Sequence, residues 1–163
     1  MAQPNSSAAR QMPPSMSFVV KSTKQMEYLP NYINAAIRKL YPELGGRGDD
    51  FNRMELCVSE IAQNSVEHQS RLPAWIYLEK REGAFYCMVR QSEPFENPKL
   101  EEINLPEWSA ERGRGRPIVY SYSEGKLWFN GQAGETSFEL ALGEKRAAVE
   151  QLMWKNQLQL AGI

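Results

Sequence analysis

The chain is short of cysteine and histidine, has no long apolar run and carries almost no net charge, and each shortage removes a class of function. Its two cysteines, Cys57 and Cys87, lie far apart, one in a helical pattern and one in a strand pattern. Reduced core thiols are expected there, rather than a disulfide or a metal pair. A single histidine with no close cysteine pair argues against structural zinc. No stretch approaches the ~18 consecutive apolar residues of a membrane span, and the N-terminus lacks the apolar core of a signal peptide. A cytoplasmic protein with no membrane association is the resulting expectation. A formal net charge of −1 gives no global signature of direct nucleic-acid binding.

What is present suits one folded domain. In 163 residues, 42% are hydrophobic and 24% charged, ordinary values for a chain that buries a real core. Three prolines and three serines within Met1–Ser15 mark a flexible leader, set at residues 1–16. Residues 17–142 form the expected domain, and 143–163 a C-terminal helix packed on it or extending it, with Val149, Leu152 and Met153 on one side. Within the domain, Ser17–Lys21 reads as a first strand. Met26, Leu29, Ile33, Ile37 and Leu40 recur at helical spacing, with the regular helix expected from about Pro30 to Tyr41 after an irregular turn. Two alternating runs joined through Gly83 predict one antiparallel hairpin, and Lys126–Leu142, turning through Gly131 to Gly134, a second.

Between Gly48 and His68 a helix is expected, capped by Asp49 or Asp50. Met54, Val58, Ile61 and Ala62 occupy its core-facing arc, and Glu60, Asn64 and His68 form a row beside it with Glu67 adjacent. A carboxylate, a carboxamide and an imidazole at the edge of a buried face can be held rigidly enough to meet a ligand; the plainer reading is a solvated helix face. From Gln91 to Arg116 runs a long irregular region, with prolines at 94, 98 and 106, of the length expected for a binding loop or lid. It ends in Arg112-Gly113-Arg114-Gly115-Arg116-Pro117, where glycines let backbone amides approach an anion and Pro117 suits the first turn of a short helix. The plainer alternative is a turn with solvated arginines.

In combination these pieces resemble a known family. Ser59-Glu60-Ile61-Ala62-Gln63-Asn64-Ser65-Val66-Glu67-His68 resembles the N-box of the GHKL ATPases. It looks most like the branch of bacterial anti-sigma-factor serine kinases, the RsbW type, where the segment reads Ser-Glu-Ala-x-x-Asn-Ala-x-Glu-His. Gly113-Arg114-Gly115 is similar to the Gly-Arg-Gly opening of that family's second glycine box. The resemblance covers about residues 17–142. It implies an α/β (α+β) two-layer sandwich, a Bergerat-type mixed sheet with helices on one face, and ATP held between helices and lid.

Carried over by position, Glu60 is the catalytic residue that orients or deprotonates the attacking group. Asn64 binds Mg²⁺, and His68, Gln91, Glu93, Arg112, Gly113, Arg114 and Gly115 lie along the nucleotide. The implied partners are a sigma factor and a STAS-domain anti-anti-sigma protein, which would be phosphorylated on serine with Mg-ATP; homodimers are frequent in the family. Two departures bear on this. Gln91-Ser92-Glu93 stands where the family has Asp-x-Gly, whose aspartate accepts the adenine amino group, and Pro117 replaces an expected glycine. A neutral acceptor costs up to about tenfold in affinity, since hydrogen bonds to charged groups contribute roughly 1.5–3 kcal/mol against about 1 for neutral ones. Glu93 adds negative charge near a polyanion. The alternative expectation is therefore a degenerate GHKL-fold module that binds protein partners and not ATP. The catalytic domain of a histidine kinase fits less well, for want of a separate phosphoacceptor helix pair.

Overall fold

Two periods in the apolar pattern account for two layers of structure. The computed structural model describes residues 12–66, 71–104, 115–143, 145 and 146. Period-two alternation forms five strands, β1 (Ser15–Val20), β2 (Ala74–Arg81), β3 (Ala84–Arg90), β4 (Leu127–Asn130) and β5 (Glu135–Ala141). Helical spacing forms α1 (Thr23–Met26), α2 (Leu29–Leu40), α3 (Asp49–Val66), α4 (Leu100–Asn104) and α5 (Gly115–Tyr122). The chain is thus the expected α/β two-layer sandwich. Among the described residues no helix is long and apolar enough to cross a membrane.

The sheet order is β1-β2-β3-β5-β4, and every neighbouring pair is antiparallel. A mixed sheet was implied by the family resemblance, and topology explains the difference. β4 runs in the same direction as β3 and would pair with it in parallel if it lay alongside. It lies at the edge instead, and β5 turns back through Gly131–Gly134 to insert between the two.

Alternation places Ala74, Ile76 and Leu78 of β2, Phe85, Cys87 and Val89 of β3, and Phe138 and Leu140 of β5 on the buried face. Helix α2 covers β1 and β2 with Leu29, Ile33, Ile37 and Leu40, while α3 packs on β2, β3 and α5. Met54, Val58, Ile61 and Ala62 of α3 are all buried, as their arc on the helix predicted. Phe85 ties the layers, with its ring edge-on to Tyr41 at 6.1 Å and to Phe138 at 6.2 Å. Arg53 is a polar fastening in this core, only 5% exposed. It pairs with Asp50 at 3.3 Å and donates to the carbonyls of Ala141 at 3.2 Å and Tyr122 at 3.3 Å, joining α3 to the ends of β5 and α5.

Several boundaries differ from expectation for local reasons. β1 begins at Ser15, inside the expected leader, because its backbone pairs with β2 from Ser15↔Glu79 onward. Ahead of α2 the chain forms the short α1, whose first turn is capped by Ser22 Oγ accepting the Gln25 amide. Pro30 sits in the first turn of α2, where its missing N–H is no loss. Asp49 and Asp50 do not cap α3. They lie in its first turn, where negative charge favours the helix dipole, and Asp50 is engaged with Arg53 and the Gly143 amide. The region after Gln91 is not irregular throughout, since it contains α4 and the start of α5. The leader up to residue 11 and the C-terminal helix at 147–163 lie outside the described residues.

Candidate functional site

Helix α3, which packs on β2 and β3, carries Glu60 and Asn64 of the predicted row. Glu60 and Asn64 are one turn apart and both half-buried. Beside them Ile61 and Ser65 are buried, and Ser65 Oγ donates back to the Ile61 carbonyl at 3.0 Å, which satisfies the buried hydroxyl. Glu67, His68, Arg112, Gly113 and Arg114 lie outside the described residues. Gly115 opens α5 and so stands next to Arg116 at the site.

Asn64 lines a small cavity of about 40 Å³, with Gln91 and Phe95 from the loop after β3, Thr136 from β5, Arg116 from α5, and Arg71. Glu60 and Glu93 do not line it. Arg71 donates from Nη1 to the Asn64 carbonyl at 3.1 Å, placing a cation on the C-terminal carbonyls of α3. Arg116 stands with its guanidinium carbon 5.6 Å from the centre of the Phe129 ring. Burial, followed by the nearby charge of Arg71, pulls the Arg116 pKa below its ordinary value, and Glu102 acts in the opposite sense.

The loop after β3 is fastened over this cavity. Gln91 is only 6% exposed, its amide N–H bonds the Gly134 carbonyl at 2.9 Å, and its Nε2 donates to the Glu93 carbonyl at 2.8 Å. Farther along, the Phe95 amide donates to the Gly131 carbonyl at 2.9 Å, and the Gly131 amide to Asn97 Oδ1 at 2.7 Å. Phe95 and Phe129 then meet edge-on, 6.4 Å between centres at 88°. Glycine is required at 131, since any Cβ would overlap the carbonyl of Phe95. Glycine is equally required at 134, where φ is +70° and a Cβ would lie 2.7 Å from the Gln91 carbonyl oxygen.

These dimensions decide what the residues fit. A water needs about 10–15 Å³ of such space, so 40 Å³ corresponds to about three waters. The donor set suits phosphate: two guanidinium groups, a carboxamide and a hydroxyl. Among the described residues no three acidic, cysteine or histidine side chains gather to hold a metal. A Mg²⁺ here would therefore rely on the Asn64 amide oxygen together with phosphate oxygens and water, a coordination Mg²⁺ accepts. The phosphate and Mg²⁺ end of the expected nucleotide site is thus compatible with the residues present. At the adenine end, Gln91 Nε2 donates to the Glu93 carbonyl at 2.8 Å, which leaves its Oε1 as a neutral acceptor in place of a carboxylate.

Arg71, Phe95 and Thr136 are site residues that sequence reasoning overlooked. Thr136 did carry a signal, as the polar member of the otherwise apolar inward set Thr136, Phe138 and Leu140. Arg71 had none, lying in a polar linker. A larger depression of about 660 Å³ borders the β2–β3 hairpin; Lys80 and Glu43, two of its charged residues, pair with each other at 2.7 Å, and none of the predicted site residues lines it. Compared with known proteins, the chain matches no family model and no curated protein.

Proposed function

We propose that the chain is an anti-sigma-type regulatory protein of the GHKL class that acts by binding protein partners, a sigma factor and a STAS-domain anti-anti-sigma protein. The observation that carries this reading is the meeting of three separated motif regions at one cavity: Asn64 of α3, Gln91 after β3 and Arg116 at the start of α5. That is the arrangement the motif order implies. Binding rather than turnover is favoured by Gln91 and Glu93, which replace the charged acceptor and the glycine of the family's Asp-x-Gly with a neutral amide and a negative charge. The exposed rings of Tyr28 and Tyr32, at the start of α2, support a protein-contact role, since tyrosine is enriched at interface hot spots.

A second reading, Mg-ATP-dependent serine kinase, is favoured by one observation: Asn64 lines a cavity together with two arginines, and Glu60 lies one helical turn before it on α3. Phosphoryl transfer asks mainly for positioning and charge stabilisation, which these residue types supply. The test is capture of STAS-domain proteins and sigma factors from the same cell by this chain, with and without Mg-ATP, followed by a phosphate-transfer assay. Capture without nucleotide and without transfer is the expected result. Failure to bind the STAS protein or the sigma factor refutes the proposal, and transfer abolished by Glu60→Gln establishes the second reading.

A further inference from the structure

The two edges of the sheet are finished differently. At one edge β4 is 4 residues long, whereas at the other β1 runs for 6 and pairs with β2 along its whole length. The Lys80 amide donates to the Pro14 carbonyl at 2.9 Å, which continues the register one residue beyond Ser15↔Glu79. Alternation therefore turns the main-chain groups of Met16, Phe18 and Val20 toward β2, and those of Ser15, Ser17 and Val19 outward. Among the described residues no strand or loop bonds these outward N–H and C=O groups. Native proteins usually blunt such an edge with charge, proline or a bulge. Ser-Met-Ser-Phe-Val-Val has neither charge nor proline, and its register is unbroken. Beside the edge stands a row of rings: Phe18 lies 6.2 Å from Tyr32, and Tyr32 lies 6.5 Å from Tyr28. Tyr32 is 40% exposed and Tyr28 46%, so α2 forms an aromatic wall next to an open strand.

We propose that the free edge of β1 takes up an extended, acidic-flanked segment of a protein partner as an added strand. Main-chain bonds to Ser15, Ser17 and Val19 supply affinity, and alternate apolar side chains of the segment rest on Phe18, Tyr32 and Tyr28. Charge selects this occupant. From Ser15 to Leu40 the chain carries Lys21, Lys24, Arg38 and Lys39 against one carboxylate, Glu27. A second copy of β1 would bring two such basic segments together, where like charges repel. The chain's own residues 1–11 hold Arg10 and no carboxylate, so they offer no complement either. None of these residues lines the Asn64 cavity. The inference extends the protein-contact role of Tyr28 and Tyr32 to a mode of recognition, and needs neither a sigma factor nor a STAS protein as the partner.

The test is selection of binders to the full chain from a displayed library of random peptides, followed by calorimetry of the enriched peptide. Enriched sequences are expected to alternate apolar residues between acidic flanks. Of two copies N-methylated at odd or at even residues, one should lose binding and the other keep it, because only one edge of a strand faces β1. The Ser15, Ser17 and Val19 amides should exchange hydrogen freely in the chain alone and become protected by the peptide. Ser17→Pro removes an outward N–H and no bond to β2, and should weaken binding by about tenfold or more with far-UV circular dichroism unchanged. Should Ser17→Pro misfold, Tyr32→Ala at its exposed site decides, with a several-fold loss expected. Slow exchange of the three amides in the free chain overturns the proposal, assigning the edge to a second copy if protection grows with concentration and to the chain's own residues if it does not. A library without an enriched binder, binding kept by both N-methylated copies, or full affinity in the folded variants overturns it as well.

Discussion

Replacing Gly131 with alanine should unfasten the loop after β3, which supplies Gln91 and Phe95 to the cavity. The added methyl would occupy the position of the Phe95 carbonyl, a backbone group with no rotamer to retreat into. The Phe95 amide bond to the Gly131 carbonyl, the Gly131 amide bond to Asn97 Oδ1, and the edge-on contact of Phe95 with Phe129 would then all be lost together. Each hydrogen bond contributes about 0.5–1.5 kcal/mol. The ring pair contributes a similar ~0.5–1.5 kcal/mol. The loss should therefore total about 2–4 kcal/mol, limited above by the free energy that docks the loop. Urea unfolding reads the total, and amide hydrogen exchange at positions 95 and 131 reads the local part. An unfolding free energy within about 0.5 kcal/mol of wild type, with both amides still protected, would refute the reasoning.

Other consequences follow from the same contacts. Arg53→Ala removes one ion pair and two hydrogen bonds to main-chain carbonyls in a nearly buried setting, and should lower unfolding stability by about 3 kcal/mol or more by urea titration. Burial pushes the Cys57 thiol up to about 12 and Cys87 well above its usual value, so neither should react with an aromatic disulfide reagent at pH 8 until the chain is unfolded. The hydrogen bond from Tyr77, and then Arg81, holds the Glu79 carboxyl below its usual range. A depressed carboxylate pKa stabilises the fold above its unfolded value near ~4.3 and loses that contribution as pH falls through the folded pKa. Tyr77→Phe should accordingly move the Glu79 titration, followed by NMR, back toward the normal value, and an unmoved titration would assign the shift to Arg81. Gln91→Asp with Glu93→Gly removes both the amide donor that closes the loop and a neighbouring negative charge, and should raise Mg-ATP affinity at least tenfold by calorimetry.

The layers were legible in the sequence because burial imposes a period. Ile76, Leu78, Phe85, Cys87 and Val89 alternate, and Met54, Val58, Ile61 and Ala62 share one arc, so both faces could be located before any coordinate was known. Relative strand placement was not legible, since nothing in β4 or β5 alone states which one borders β3. The site was half legible. Asn64 and Gln91 line one cavity, because α3 and the end of β3 are both anchored by apolar residues of regular spacing. Arg71 and Phe95 enter it through loop hydrogen bonds to Asn64 and Gly131, which depend on backbone geometry and leave no periodic trace. The fate of Asp50 shows the same limit: its place in the helical pattern suggested a cap, but Arg53 three residues on claims it as an ion-pair partner.

We propose that the chain keeps a phosphate-compatible cavity at Asn64 and Arg116 but, with Gln91 and Glu93 where the family has Asp-x-Gly, acts by binding partners and not by turning over ATP. Calorimetric titration of the wild-type chain with Mg-ATP to millimolar concentration tests this most directly, with adenosine as competitor. The expected result is no adenosine-sensitive binding heat and no change in STAS-partner affinity. Saturable Mg-ATP binding that adenosine displaces would contradict the account and restore the nucleotide to the site.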